Sequence, residues 1–473
     1  MASKTYFQRA ASPAEQRTIA REDAGFYHAV IIGAVYDLGP QFDLEAKETF
    51  YHPLAHCIKQ SPWLYVAVGD RHTDKSFYES VQTIRFSQHI DLCSRAAHDT
   101  DSAAIARLVE DNLDKPHPAG IPPWRILVMP LSTGECFVGF VYSHMIGDGM
   151  SGSAFHRAFL QGLRTMRPNT AVSPTMETPK KPLPPPFDTP DRLTISWSFL
   201  LAPLFAFLLP QFIANLLGVQ ASASGINEGT WTAQPMFFDP EKKTKLRMIE
   251  VESAALNRVL RLSREHQVRL TGLLNHLIAR VLSRALPSPT ITNFISQTAI
   301  NLRRALGMSN VEMGGFVSGC YLMHPRNNNS GALTQAEWTE VAACTDKLTR
   351  ASVTLQDQAI GLLRYLSSIR SWTLGKIGER RDCSFEMSNI GSFDGGSGAS
   401  IEAPTNAKIT KMVFGQPGHV GGPPICFNFA SVKQGSLVCT VTWQPGALGV
   451  QNDEAEFVDE LCAALKAEIE GLA

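Results

Sequence analysis

"YSHMIGDGMSG", residues 142–152, is the stretch that decides how this chain is read. It follows the apolar run 136–143. It precedes a segment with Phe155, Phe159, Leu160 and Leu163 at helical spacing, so the pattern is strand, turn, helix. His144 stands where the strand ends. Asp148 lies at the helix start, where a carboxylate is favoured. Gly147 and Gly149 permit tight or left-handed backbone. Strand ends of α/β proteins are where working side chains gather. Residue types alone leave three readings of His144 open. It can be a hydrogen-bonded packing residue, a metal ligand with Asp148 and His156, or a general base, since an imidazole titrates near neutrality. The metal reading is the weakest. His156 falls inside the helix, HExxH is missing, and no other His or Cys lies at ligand spacing, so no metal is expected.

On the N-terminal side of this motif the chain reads as mixed α/β. Residues 25–39 and 63–70 are strand-like, and so are 124–131 and 135–143, joined by the turn "STG". Residues 103–114 read as a helix, and so do 44–62, although Pro53 interrupts them. Beyond the motif, residues 173–192 are rich in proline and read as a linker or crossover. Residues 193–227 then carry no Asp, Glu, Lys, Arg or His. Their apolar centre, residues 199–219, approaches the length of a membrane span, but Pro203 and Pro210 interrupt it and no polybasic flank is present. They read as an apolar insertion over the core or a substrate tunnel, or as a peripheral membrane contact. After this, 255–266 and 271–286 read as helices, the second capped by Thr271 and ended by Pro287. Residues 292–303 read as a strand, and 425–432 and 436–444 as a hairpin across "KQG". An amphipathic helix closes the chain.

Composition sets the class. The 473 residues are 44% hydrophobic and 18% charged, which describes a globular protein and leaves room for two or three domains. A net charge of −1 offers no basic face for nucleic acid. The nine cysteines are widely spaced, with no CxxC pair for a zinc ribbon or redox motif. The first residues are polar and lack the apolar core of a secretory signal. A reduced, cytoplasmic chain is the expectation, at most peripheral on an intracellular membrane through 193–227.

HxxxDG on a strand–turn–helix resembles the signature of the acyltransferases with the chloramphenicol-acetyltransferase-like fold, a superfamily that includes the BAHD enzymes and condensation domains. Other segments resemble theirs in the same order: "PPWRILVMP" (122–130), "LAHCIKQSPWL" (54–64), "TGLLNHLIARVL" (271–282), "AINLRRALG" (299–307) and "MSNIG" (387–391). Within the superfamily the chain is most similar to the fungal alcohol acetyltransferases. "GFYHAVIIGAVYD" and residues 414–448 match their flanking segments. The BAHD motif "DFGWG" is missing, and "FGQPG" (414–418) stands in its place.

The resemblance implies an α/β fold of two chloramphenicol-acetyltransferase-like lobes with an active-site tunnel between them. The first lobe would span residues 1–172, the proline-rich crossover and apolar insertion 173–230, and the second lobe 231–473. It implies an O-acyltransferase whose cosubstrate is acetyl-CoA or another acyl-CoA, with no bound cofactor and an alcohol as acceptor. His144 would be the general base in a ternary complex without an acyl-enzyme, and no GxSxG is present. Asp148, grouped with it as catalytic, would instead pair with Arg303 and, with Gly149, clamp the turn. Ser388, Asn389, Gln416 and Thr442 are candidates to hold the oxyanion or substrate. N-acylation of an amine and thioester hydrolysis remain alternatives. A non-enzymatic binding module would have no need of His144. A monomer is expected.

Overall fold

The computed structural model of the chain describes residues 5–40, 42–166, 172–201, 224–395 and 406–472. The first half supplies β1 (Thr5–Ala10), α1 (Pro13–Asp23), β2 (Val30–Asp37), α2 (Tyr51–Gln60), β3 (Val66–Gly69), β4 (Phe77–Val81), β5 (Thr83–Arg85), β6 (Ile90–Leu92), α3 (Asp101–Leu113), β7 (Trp124–Pro130), β8 (Cys136–Tyr142), α4 (Gly149–Thr165) and β9 (Thr175–Glu177). The second half supplies β10 (Lys245–Val251), α5 (Ser253–Glu265), α6 (Leu270–Ala285), β11 (Asn293–Asn301), β12 (Val317–Pro325), α7 (Gln335–Val353), α8 (Ile369–Leu374), β13 (Phe385–Phe393), β14 (Lys408–Gly415), β15 (Ile425–Val432), β16 (Leu437–Trp443) and α9 (Glu454–Gly471).

Two sheets organise these elements. One has the order β14-β2-β8-β7-β6, the other β10-β16-β15-β13-β11-β12. β8 is buried along its whole length because both faces are covered, which explains its unbroken apolar run. It pairs antiparallel with β2 and β7, with Gly33 opposite Gly139. The first sheet is completed from the far end of the chain: β14 pairs antiparallel with β2, setting Val413 opposite Gly33. The division by sequence therefore does not follow the sheets. Phe414, Ala430 and Val432 pack into the core that α2, α4 and β8 share. A second core lies among α5, α6, α9 and the inner face of the larger sheet.

Some local expectations change. Residues 63–65 belong to a 3-10 turn (Pro62–Tyr65), and the strand begins only at Val66. Pro53 is tolerated because α2 begins at Tyr51, which puts the proline in the first turn, where its missing N–H costs nothing. Arg269, not Thr271, is the N-cap of α6; the Thr271 hydroxyl instead accepts from Asn389 Nδ2 at 3.3 Å. The proline-rich crossover contains the short strand β9, paired with β5. Most of the apolar stretch, residues 202–223, lies outside the described residues. Among the described residues no helix is long and apolar enough to cross a membrane.

Candidate active site

β8 ends at Tyr142, and the chain turns at once. Ile146 N–H donates to Ser143 O at 3.1 Å, and the Tyr142 hydroxyl reaches forward to Asp148 O at 2.6 Å. Tyr78 donates to Met145 O at 2.8 Å. Asp148 is the N-cap of α4: its carboxylate accepts from Ser151 N–H at 3.1 Å. The glycines serve close approach, not left-handed geometry, since neither Gly147 nor Gly149 has a positive φ. A Cβ on Gly149 would lie 2.8 Å from Ile390 of β13, and one on Gly147 2.6 Å from Ser151. The turn is thus pressed against the second sheet.

Arg303 reaches this turn from the second half. Its Nη1 and Nη2 donate to the two Asp148 oxygens at 2.7 and 2.9 Å. Arg303 Nε donates to Glu312 O, and Nη2 also to Gly314 O. Phe316 N–H donates to Asp148 at 2.9 Å, while Ser151 both donates to and accepts from the Gly314 backbone at 3.0 Å. The Arg303 guanidinium lies over the Phe316 ring. Burial alone would raise the Asp148 carboxyl, but the Arg303 charge and these hydrogen bonds hold it below its ordinary range. Asp148 is therefore fully engaged as a buried, bidentate ion-pair partner that ties the two halves of the chain together.

His144 has a different environment. It is half-buried, and its Nδ1 is enclosed with no partner in another residue, which leaves Nε2 as the accessible nitrogen. Tyr27 meets the imidazole edge-on, with ring centroids 5.8 Å apart, and meets His419 in the same way at 5.4 Å. Burial pushes His144 down to about 4; its own backbone opposes the shift and Arg21 adds to it. The ring is thus neutral throughout the physiological range. His156 plays no part here. Its two nitrogens are taken by the Tyr36 hydroxyl at 2.7 Å and Ile32 O at 2.8 Å.

Beyond Tyr27 lies a buried polar network. The Tyr27 hydroxyl donates to Gln416 Oε1 at 3.0 Å, and Gln416 Nε2 donates to Glu386 and Asn428, both at 2.7 Å. Ser388 donates to the same Glu386 oxygen at 2.9 Å. His419 lies 3.6 Å from the other Glu386 oxygen. Burial raises Glu386 against the pull of Gln416 and Ser388, and lowers His419 far below its usual range with help from Arg21 and Arg17. Glu386, His419 and Cys426 bring metal-ligand atoms within 4.8 Å of one another. Positive charge from Arg21, Arg17 and Arg381 bears on His419, and burial holds the Cys426 thiol well above its usual range, which is a poor setting for a cation.

The four oxyanion candidates now separate. Ser388 and Gln416 belong to the Glu386 network. Asn389 braces Thr271 and Gly391, at the start of α6 and within β13. Thr442 of β16 sits opposite Cys426, and its buried hydroxyl meets the Cys426 thiol and no stronger partner. Sequence reading missed Tyr27, Glu386, His419 and the α1 arginines. The signal for α1 was available: "SPAE" (12–15) is a capping-box pattern with proline at N1, and Glu15 accepts the Ser12 N–H at 2.8 Å. A groove of about 1150 Å³ lined by Phe237, Lys242, Arg247 and Trp443 lies at the β10 edge and does not include His144.

A model of the family described as alcohol acetyltransferase matches residues 109–469. The chain belongs to the alcohol acetyltransferase family. It is 23% identical over 430 residues to a probable alcohol acetyltransferase of Fusarium pseudograminearum, covering 84% of this chain and 82% of that one. It is 22% identical over 458 residues to a probable alcohol acetyltransferase of Aspergillus fumigatus, covering 92% and 94%. Among solved structures, the trichothecene 15-O-acetyltransferase of Fusarium sporotrichioides superposes with a TM-score of 0.68 at 11% identity, over 97% of this chain and 94% of that one. The first condensation domain of the CDA synthetase superposes with a TM-score of 0.59 at 11% identity, over 98% of each chain. The fold is therefore the two-lobed α/β architecture of this superfamily, and as an alcohol acetyltransferase family member the protein is an acyltransferase.

Proposed function

We propose that the enzyme transfers an acyl group, acetyl in the simplest case, from coenzyme A to an alcohol, with His144 as general base. The observation that carries this reading is the division of labour in the turn. Asp148 is spent on Arg303, while four residues earlier a neutral imidazole presents an uncommitted Nε2. An alcohol is too weak an acid to ionise in advance, so its proton must leave as the oxygen attacks the thioester carbonyl. His144 Nε2 takes that proton, the C–O bond forms, the C–S bond breaks, and the proton passes to the departing thiolate. Atoms balance without an acyl-enzyme. A base of this kind contributes roughly 10²–10⁴-fold. For Nε2 to act as the base the neutral ring must be the Nδ1–H tautomer, and the interaction of the ring with its own backbone is consistent with it.

Of the four candidate donors, Thr442 stands outside the Glu386 and Asn389 networks, with only the Cys426 thiol beside it, and is the one we assign to the thioester oxygen. Gln416 and Ser388 keep Glu386 and Tyr27 in place, and Asn389 braces β13 against α6. The test is thiol release from acetyl-CoA with and without a panel of alcohols and amines. Alcohol-stimulated release that is lost in His144→Ala supports the reading. Release independent of every acceptor makes the protein a hydrolase, and a preference for amines makes it an N-acyltransferase.

A further inference from the structure

α1 carries two arginines four residues apart, Arg17 and Arg21, and so places them on one face. Like charges at this spacing cost helix stability. The carboxylates of α1 do not relieve them: Glu15 pairs with Arg9, Glu22 with Arg71 and Ser143, and Asp23 with Arg370. Among the described residues neither Arg17 nor Arg21 has a carboxylate at ion-pair distance or a side-chain hydrogen bond. Arg21 instead lies 4.5 Å over the Tyr27 ring, whose edge meets His144. One aromatic ring thus separates an unpaired guanidinium from the candidate base. Arg21 is half-buried, and burial with the Arg17 charge pushes it down to about 10. The charge of Glu386 bears on both arginines, but that carboxylate is bonded to Gln416 and Ser388, whereas Arg303 and Arg9 each pair directly with a carboxylate.

We infer that Arg17 and Arg21 hold a carboxylate on the reacting part of a substrate, either on the acceptor alcohol or at the far end of the acyl chain. This rests on the acyl-transfer reading of His144. The phosphates of coenzyme A do not suit the position, because the pantetheine arm between them and the thioester is long and uncharged. A carboxylate suits it by charge and by the planar fork that a guanidinium offers. The groups that face His144 are Arg21 and Arg17 of α1, Asp148 of the turn, and Tyr27 and His419. A bound anion would offset the two arginines, which lower His144, and so make the base stronger when the substrate is present.

The test pairs substrates that differ only in charge. Acetyl-CoA is offered with a series of hydroxy acids of increasing length and their methyl esters, and succinyl-CoA is compared with butyryl-CoA on a neutral alcohol. The inference expects kcat/KM to favour the anion roughly 100-fold in one of the two arms, mostly through KM, and expects Arg17→Met and Arg21→Met each to remove most of that preference. The first arm identifies an acceptor carboxylate, the second an acyl carboxylate. If neutral alcohols are acylated while no anion in either arm is preferred, the inference is wrong and the acyl-transfer reading stands. If no pair is turned over, the acyl-transfer reading fails. Calorimetric titration of the same hydroxy acids, and of succinyl-CoA beside butyryl-CoA, into wild type and Arg21→Met then decides for the cation site, an anion counting as bound where it binds more tightly than its neutral counterpart. Binding that weakens at least tenfold in the variant supports it, and no binding to wild type overturns it.

Discussion

Two buried polar clusters flank the HxxxDG turn, and they differ in how completely they are satisfied. Around Asp148 the carboxylate and the Arg303 guanidinium are fully engaged. Two arginine nitrogens, two backbone N–H groups and the Ser151 hydroxyl converge on one carboxylate. Around His144, by contrast, His144 Nδ1 and His419 Nε2 are buried without a hydrogen bond from another residue. A buried polar group left unsatisfied typically costs about 1–3 kcal/mol, so a fold does not keep several together for stability. The satisfied cluster ties the two halves of the chain together, and under the proposed function the unsatisfied one is where substrate would supply the missing partners.

The clamp offers the largest effect. Arg303→Met leaves a buried carboxylate unpaired and is expected to destabilise the protein by about 3–5 kcal/mol, measured by chemical denaturation. Asp148→Leu with Arg303→Met together should cost less than their separate effects summed, because no charge is left stranded. Additive losses would mean that the pair is not a unit. On the other side, Thr442→Val should lower kcat by roughly 10²-fold with stability nearly unchanged, the reverse of the clamp pattern. An equal loss of stability and activity would move Thr442 into the structural cluster. Gly149→Ala sits between the two: its Cβ would press on Ile390 at 2.8 Å, and a loss of about 1–3 kcal/mol is expected, read as a lower Tm.

pH separates the clusters further. With His144 as the proposed base and its imidazole held at about 4, kcat/KM should stay level from neutral pH downward and fall only as pH drops through that value. An acid limb near the ordinary histidine pKa would contradict the burial argument. Arg21→Met removes a neighbouring positive charge and should move that limb to higher pH. Asp148 has the opposite linkage. Its folded pKa lies below its unfolded one, so its stabilisation is present above the unfolded value and is lost as pH falls through the folded value. Asp148→Asn should therefore show a weaker loss of stability in acid than wild type, even though it starts lower.

The contrast also marks what the sequence could carry. His144, Asp148 and Arg303 were legible because each sits in a short motif that periodicity places, at a strand end, at a helix start and, for Arg303, in the turn just beyond β11, which ends at Asn301 rather than running to 303. The supporting residues were not. Gln416 was singled out, but its partners Tyr27 and Glu386 were not: Tyr27 lies hundreds of positions from both, and only the sheet topology brings the three together. The same holds for β14, which joins the first sheet from the far end of the chain by pairing with β2. Helix α1 was hidden by its polar composition, since few apolar residues mark its face; its capping-box pattern was the better signal.

The most direct measurement of the central claim is the rate of alcohol-dependent thiol release by His144→Ala, set beside its thermal unfolding. The account predicts a loss of about 10²–10⁴-fold with a Tm close to wild type, because the imidazole makes no bond that the fold depends on. Unchanged release from a folded His144→Ala variant would contradict it.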